Sequence, residues 1–551
     1  MPVVNFHISR LNKFLPDVEF NKILEILPYI GLDIEGVDSD VIRIEYNPNR
    51  PDFASDYGIV RALRGLLEIE TGIPKFRLSA KKEYAININE SVQQVRPFIV
   101  AIVAKKGKLD EETIKQLIGM QEDLHNGIGR RRRKASIGIH NLDPIKFPVT
   151  YKTVNKDFSF VPLDQISSQQ IKSILKSSGP GKEYGYILEK KDQYPIIIDS
   201  ENKVLSLPPI INSNVTKVNV DTNNLFVEVT GINQKSAEDI LAILAITLYD
   251  AGFQIQNVSI NNFDGSVYAP KMEPYHIQVD PSFINRLLGL DFSINQIVKY
   301  LRKSRLNANE IAKKRVDCIV PRYRTDIFHA IDVVEEVAIG YGIYNLKPTI
   351  SPSTASGQKN SLSIYIDIIR QTLIGLQMLE VVNHSIVGRK IQYELPGVNK
   401  PNKILAVDRP KSVQYEILRD TLIPSLLASL SRNVHEEYPQ RLFEIGKIFQ
   451  WTDIVKEYWS LGVVVAHNKA DYTEVKSLMQ ALLKTSFGKA AFTQVITHPI
   501  FITGRCAGIV VDEKYVGIIG EITPLAIDNF KVRVPVAAFE LNLSELLPIN
   551  R

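Results

Sequence analysis

The chain has 551 residues, more than one hydrophobic core can organise, so roughly three to five domains are expected. Its 44% apolar content excludes extensive disorder, and a net charge of +5 from 66 basic and 61 acidic residues leaves any nucleic-acid contact to local patches. Cys318 and Cys506 share no metal or redox spacing and read as buried free thiols. No basic-then-apolar leader opens the chain, and no apolar run nears the ~20 residues that span a bilayer, so a soluble, cytoplasmic protein without a membrane partner is expected.

In chain order, Phe20, Ile23, Leu24 and Leu27 fall on one face of a helix starting near Asp17. A strand from Val41 to Tyr46 runs into the polar turn Asn47-Pro48-Asn49-Arg50-Pro51-Asp52, and a second helix passes through Val60 and Leu63. The pattern returns about 274 residues later. Ile294, Ile297, Val298 and Leu301 make the helix, Val316 to Val320 the strand, and Pro321-Arg322-Tyr323-Arg324-Thr325-Asp326 the turn. Between these copies, β-branched runs at 98–104, 194–198 and 225–230 alternate with loops and helices, one of them opened by a capping box at Ser236-Ala237-Glu238-Asp239. After a polar linker at 351–357, helices (364–376, 422–430) and strands (462–466, 508–511, 516–519) predict an antiparallel sheet backed by helices.

The sharpest constellation follows the second turn. A helix places Asp332, Glu335 and Glu336 on one face, leaves Val333, Val334 and Val337 for the core, and has Asp326 just upstream. Clustered carboxylates without His or Cys suit a hard cation such as Mg²⁺; equally, acids in a first helical turn are stabilised by the dipole and solvated. If Asp56 is matched to Asp332, the first copy has Ile59 and Val60 in place of Glu335 and Glu336, so the fold does not require the acids.

In the middle region, strand periodicity puts Phe226, Glu228 and Thr230 on one face, either a pocket wall or a solvent-facing edge. Arg130-Arg131-Arg132-Arg133-Lys134 is the densest basic run, suited to several phosphates or to a solvated loop, and His140 reads as structural. Gly179-Pro180-Gly181-Lys182-Glu183 is not a P-loop, because the spacing fails and Glu183 stands where a hydroxyl is needed.

Taken together, the Asn47–Asp52 turn with Asp56-Tyr57-Gly58, the Arg322–Asp326 turn with Asp332-Val333-Val334-Glu335-Glu336-Val337 and Tyr341-Gly342, Leu418-Arg419-Asp420-Thr421-Leu422, Arg441-Leu442-Phe443-Glu444-Ile445-Gly446 and Gly517–Pro524 resemble phenylalanyl-tRNA synthetase beta subunits of the archaeal/eukaryotic type, over essentially the whole chain. The resemblance implies an α+β multidomain fold: duplicated small helix–strand–turn–helix modules (1–75 and 269–347) flanking an α+β editing, tRNA-binding domain (76–268), then a class II synthetase-like antiparallel sheet core without catalytic motifs (358–551). It implies Mg²⁺ on Asp326, Asp332, Glu335 and Glu336, and an editing pocket for mischarged Tyr-tRNA that draws on Ser206, Asn212, Glu228 and Thr230. It also implies an assembly of two alpha and two beta subunits with tRNA(Phe), in which ATP and phenylalanine react on the alpha subunit. Two other readings stay open. One is a stand-alone hydrolase of mischarged tRNA, against which the large C-terminal core argues. The other is a metal-dependent phosphohydrolase on the acidic helix, which lacks a second ligand cluster and a general base in the sequence.

Overall fold

A computed structural model describes residues 1–79, 83–189, 191–262, 265–350 and 356–547. Of the expected linker, residues 351–355 lie outside the described residues. The fold is α+β, in two compact units, Met1–Ile350 and Ser351–Arg551. Among the described residues no helix is long and apolar enough to cross a membrane, and Cys318 and Cys506 are free and buried.

In the first unit, Val41–Tyr46 is the middle strand of an antiparallel three-stranded sheet, between Val3–His7 and Leu32–Val37. Its alternating Ile42, Ile44 and Tyr46 face the core with Ile23 and Leu27, as period-two patterning requires. Arg315–Val320 repeats the arrangement between Tyr275–Val279 and Asn307–Ile311. There Val316, Cys318 and Val320 pack with Ile284, Ile297 and Leu301.

The intervening segment builds an eleven-stranded sheet. Leu225–Gly231 runs antiparallel between Phe98–Lys105 and Ala135–Asn141 and is buried at every position, so it is no solvent-facing edge. The helix Gln234–Asp250 covers this part of the sheet. It starts two residues before the expected capping box, because the Asn233 side chain accepts the Ser236 amide at 2.9 Å. Asp239 is therefore not a cap residue; it pairs with Lys235 at 2.7 Å and with Arg322.

The two turns meet beside this sheet. Arg50 grips Asp52 with two bonds of 2.9 Å, and Arg324 grips Asp326 in the same way at 2.9 and 2.7 Å. Arg324 also binds Glu336 on the following helix, and Arg50 lies 3.8 Å from Asp326. Arg61 pairs with Asp250 at 2.6 Å and stacks over Tyr323 with 4.7 Å to the ring centroid. Nearby, a Cβ at Gly65 would sit 2.2 Å from the Lys303 carbonyl oxygen, so only glycine lets these backbones approach.

The second unit is a seven-stranded sheet with Val455–Ala466 and Val536–Asn542 paired near its middle. Along Val463–Ala466 the side chains alternate between faces. Val463 and Val465 pack with Leu373, Met479 and Leu482 from the helices Ser361–Gly375 and Tyr472–Phe487. Val464 and Ala466 pack with Leu426 and Leu430 of Ile423–Arg432. Both faces are covered, which is why these strands read as continuous apolar runs.

Burial pushes the Asp326 carboxyl up, but the charge and hydrogen bonds of Arg324, with the charge of Arg50, outweigh it and hold it at about 2. An unfolded aspartate titrates near ~3.9. The depression therefore stabilises the fold above about pH 4, and that contribution is lost as pH falls through about 2. Arg324→Met should strand two carboxylates and cost about 3–5 kcal/mol at pH 7. Hydrogen exchange of the Ala330–Tyr341 helix amides reads this directly: faster exchange at pH 7, with the wild-type advantage shrinking below pH 4. Unchanged protection at pH 7 would show that the ion set does not hold the turn.

Candidate functional site

Strand register builds a polar pocket on an apolar sheet. Glu228 stands opposite Ala101 on one side and Gly138 on the other. A Cβ on Gly138 would lie 2.3 Å from Glu228 Oε1 and 2.7 Å from His140 Nε2, so glycine here makes room for both groups. Ser206 Oγ donates to Glu228 Oε1 at 3.2 Å, and His140 Nε2 lies 3.9 Å from the same oxygen. His140 Nδ1 is 2.8 Å from Thr216 Oγ1. Glu228 is 2% exposed and His140 0%, yet Glu228 Oε2 and His140 Nε2 have no hydrogen-bond partner among the described residues. Buried polar atoms are seldom left so, and of the two residues Glu228 lines a cavity.

The pocket is a cavity of about 380 Å³. Ser206, Asn212, Thr216 and Glu228 give it a polar side, and Ile137, Ile139, Leu207 and Ile210 an apolar one. Asn212 is held by a 3.3 Å bond from Nδ2 to the Ile139 carbonyl. Thr230 does not line the cavity. It accepts Arg96 Nε at 2.9 Å and lies 3.0 Å from Ser136 Oγ, behind the wall. Arg96 is 1% exposed, and its remaining bonds go to Ser136 and to the Thr230 and Arg133 carbonyls. Burial without a contacting carboxylate pulls its pKa down to about 10, against the attraction of Tyr151 and Glu228.

The basic run takes an unexpected shape. Arg130, Arg131 and Arg132 have φ of 51°, 54° and 61°, a left-handed stretch that non-glycine residues adopt at a cost. It turns Arg132 into the cavity wall and leaves Arg130, Arg131, Arg133 and Lys134 exposed. Arg132 stacks over Tyr184, bonds the Ile210 carbonyl at 3.1 Å and pairs with Glu122 at 2.8 Å. His125 Nε2 accepts the Ile137 amide, so its neutral ring carries the proton on Nδ1, facing Glu122. The His125 hydrogen bond and the Arg132 charge bring the Glu122 carboxyl down to about 2 against its partial burial.

Thr216 and Arg132 are pocket groups that sequence reasoning missed or set aside; His140, also set aside, lies against Glu228 but is not among the lining residues. The alternation that places Glu228 indoors also places His140 opposite Phe226, but only the register reveals it.

At the acidic helix the four expected ligands are neighbours engaged in different work. Asp326 and Glu336 hold Arg324. Asp332 Oδ2 accepts the Phe328 and His329 amides at 2.7 and 2.8 Å, closing the helix start. Glu335 is exposed, and partial burial together with the charges of Glu336, Asp326 and Asp332 raises its pKa. Carboxylate donors fit magnesium chemically. In arrangement they do not: among the described residues no three His, Cys, Asp or Glu side chains are gathered as ligands, and Arg324 supplies positive charge between two of the four. The helix starts also shift the comparison between the two copies. The offset that carries Arg50–Asp52 to Arg324–Asp326 carries Asp56 to Ala330, so Arg61 and Ala62, not Ile59 and Val60, stand at the positions of Glu335 and Glu336.

Residues 277–343 match the family described as tRNA synthetase B5 domain, and residues 346–543 match the phenylalanyl tRNA synthetase beta chain CLM domain. The phenylalanine–tRNA ligase beta subunit of Archaeoglobus fulgidus is 38% identical over 99% of this chain and 98% of its own length. The chain belongs to the phenylalanine–tRNA ligase beta subunit family. That of Methanosarcina barkeri is 34% identical over 99% of both chains. A crystallised N-terminal fragment of the phenylalanyl-tRNA synthetase beta subunit from Pyrococcus horikoshii superposes with a TM-score of 0.60 at 31% identity, over 62% of this chain and all of the fragment.

Thr230 and Glu228 are separable by experiment. Thr230→Val leaves the buried Arg96 Nε unpaired and should cost about 1–3 kcal/mol. Glu228→Gln keeps an acceptor for Ser206 and should leave the melting temperature within about 2 °C, since near-isosteric changes at an unpaired acid remove no packing. Thermal melts of both variants check this; equal melting temperatures would move Thr230 out of the supporting network.

Proposed function

We propose that this chain pairs with a catalytic alpha subunit, as two alpha and two beta chains in the cytoplasm, and that the cavity at Glu228 hydrolyses Tyr-tRNA(Phe). The alpha subunit activates phenylalanine with ATP and charges tRNA(Phe); this chain completes the assembly through its second unit, read as a class II-like core without catalytic motifs. The observation that carries the editing reading is Glu228, buried with Oε2 unpartnered among the described residues, on the polar side of a cavity whose other side is apolar.

An apolar pocket built for phenylalanine rejects one added hydroxyl only ~10²-fold. A second site gains selectivity by the opposite logic. Glu228 accepts the phenolic hydroxyl of a tyrosyl group, whereas a phenylalanyl group leaves that carboxylate unpaired, a penalty that can reach ~10⁴-fold or more. Ser206 and Asn212 fix the wall around the ring. The exposed arginines next to Arg132 attract the phosphates of the acceptor end.

Deacylation of preloaded Tyr-tRNA(Phe) and phenylalanine-dependent ATP–pyrophosphate exchange test this together. With the alpha subunit present, Glu228→Gln should slow Tyr-tRNA deacylation at least tenfold while exchange is unchanged. Exchange by this chain alone, or deacylation indifferent to Glu228, would overturn the respective assignment.

A further inference from the structure

The second unit holds a cavity of its own, about 650 Å³, that the proposed function does not use. Its polar end is assembled from three distant segments. Gln392 Nε2 donates to Asp420 Oδ1 at 2.7 Å, and Tyr393 donates to Asp420 Oδ2 at 2.8 Å. Thr421 beside it donates to Glu540, which also accepts Ser460 Oγ and the Leu422 amide. Gln392 is 1% exposed, and its Oε1 has no partner among the described residues. A buried carbonyl oxygen left open in a cavity asks for a donor.

The charge at this end is negative. Asp420 and Glu540 both line the cavity, and the neighbouring Arg419 is committed to Glu444 at 2.6 Å. His498 on the wall has its pKa lowered by burial, which favours the neutral ring. Lys403 is exposed and lies over Trp451, 5.4 Å from the ring centroid. The remaining wall is apolar and aromatic, with Ile404, Ile448, Phe449 and Val516 inside and Trp451 and Tyr515 exposed toward solvent. The volume suits a small organic ligand.

We propose that this cavity binds a small arylalkyl ammonium, its cationic head on Gln392 Oε1 and Asp420 and its ring against Phe449 and Ile404. The carboxylate and carbonyl oxygens accept the N–H donors, and the aromatic wall accepts the ring and part of the charge.

Isothermal titration calorimetry of the full chain with 2-phenylethylamine tests the site, with 2-phenylethanol as the uncharged comparison. Saturable one-to-one binding of the amine is expected, at least tenfold tighter than the alcohol. Asp420→Asn should weaken it at least tenfold. Ile404→Trp, a half-buried wall position filled with bulk, should do the same and decides the outcome if Asp420→Asn unfolds. Glu228→Gln should leave amine binding unchanged, which separates this site from the cavity of the first unit. No saturable binding of the amine, equal binding of the alcohol, or undiminished binding by Ile404→Trp would overturn the proposal.

Discussion

Arg324 is buried to 2% exposure, and two carboxylates meet its guanidinium there, without which the buried charge would be costly. Asp326 lies two residues on in the same turn, and Glu336 lies on the helix that follows. One side chain thereby ties turn to helix and fixes where that helix begins. Asp332 closes the helix start from inside the first turn, so the acidic face is first of all a piece of construction. The Arg50–Asp52 pair does the same for the other turn, and Arg50 reaches to 3.8 Å from Asp326. Tyr323, packed under Arg61, joins the contact. Much of the first unit's geometry is this junction of two charged turns over an apolar sheet.

Elsewhere in the same unit, buried charge is handled differently. Arg96 touches no carboxylate; its bonds go to hydroxyls and carbonyl oxygens. Glu228 binds only Ser206 among the described residues, and His140 Nε2 lies farther off at 3.9 Å. The two lie near enough for Glu228 to raise the Arg96 pKa against the effect of burial. A folded chain gains little from leaving both so sparsely matched, since pairing them directly would satisfy each. The separation leaves Glu228 Oε2 without a hydrogen-bond partner among the described residues, on a side chain that lines the cavity.

Local pattern made much of the fold readable. Val41–Tyr46 and Arg315–Val320 alternate cleanly, and Leu225–Gly231 reads as a strand, though only its place between two others decides that both its faces are buried. Val3–His7 and Leu32–Val37 escaped notice because short strands carrying Asn5, Asp33 and Glu35 lack that contrast. The cap of the Gln234–Asp250 helix was misplaced for a related reason: Ser236 and Asn233 are both good caps, and only geometry chooses. Glu228 was legible as a candidate wall residue from alternation, whereas Ser206 and Asn212 came only through the family resemblance. Thr230 was not separable from them, because its partner Arg96 lies 134 positions away. The same holds for the acidic helix, where three carboxylates on one face look like ligands until Arg324 is seen among them.

The second unit repeats the distinction on an unrelated sheet. Glu444 is buried to 1% exposure and matched by Arg419 at 2.6 Å, with Asn383 completing its bonds. That acid is fully spent on structure. Glu540 on the central strand is 7% exposed, yet hydroxyls and amides, not a cation, hold it, and burial pushes its pKa up. An acid stabilised in this manner keeps its place without neutralising the space in front of it. Asp420 and the open oxygen of Gln392 add to the same field. In both units, then, the acids clamped by arginine hold turns and strands together. Glu228, Asp420 and Glu540, held by neutral donors, instead line the cavities.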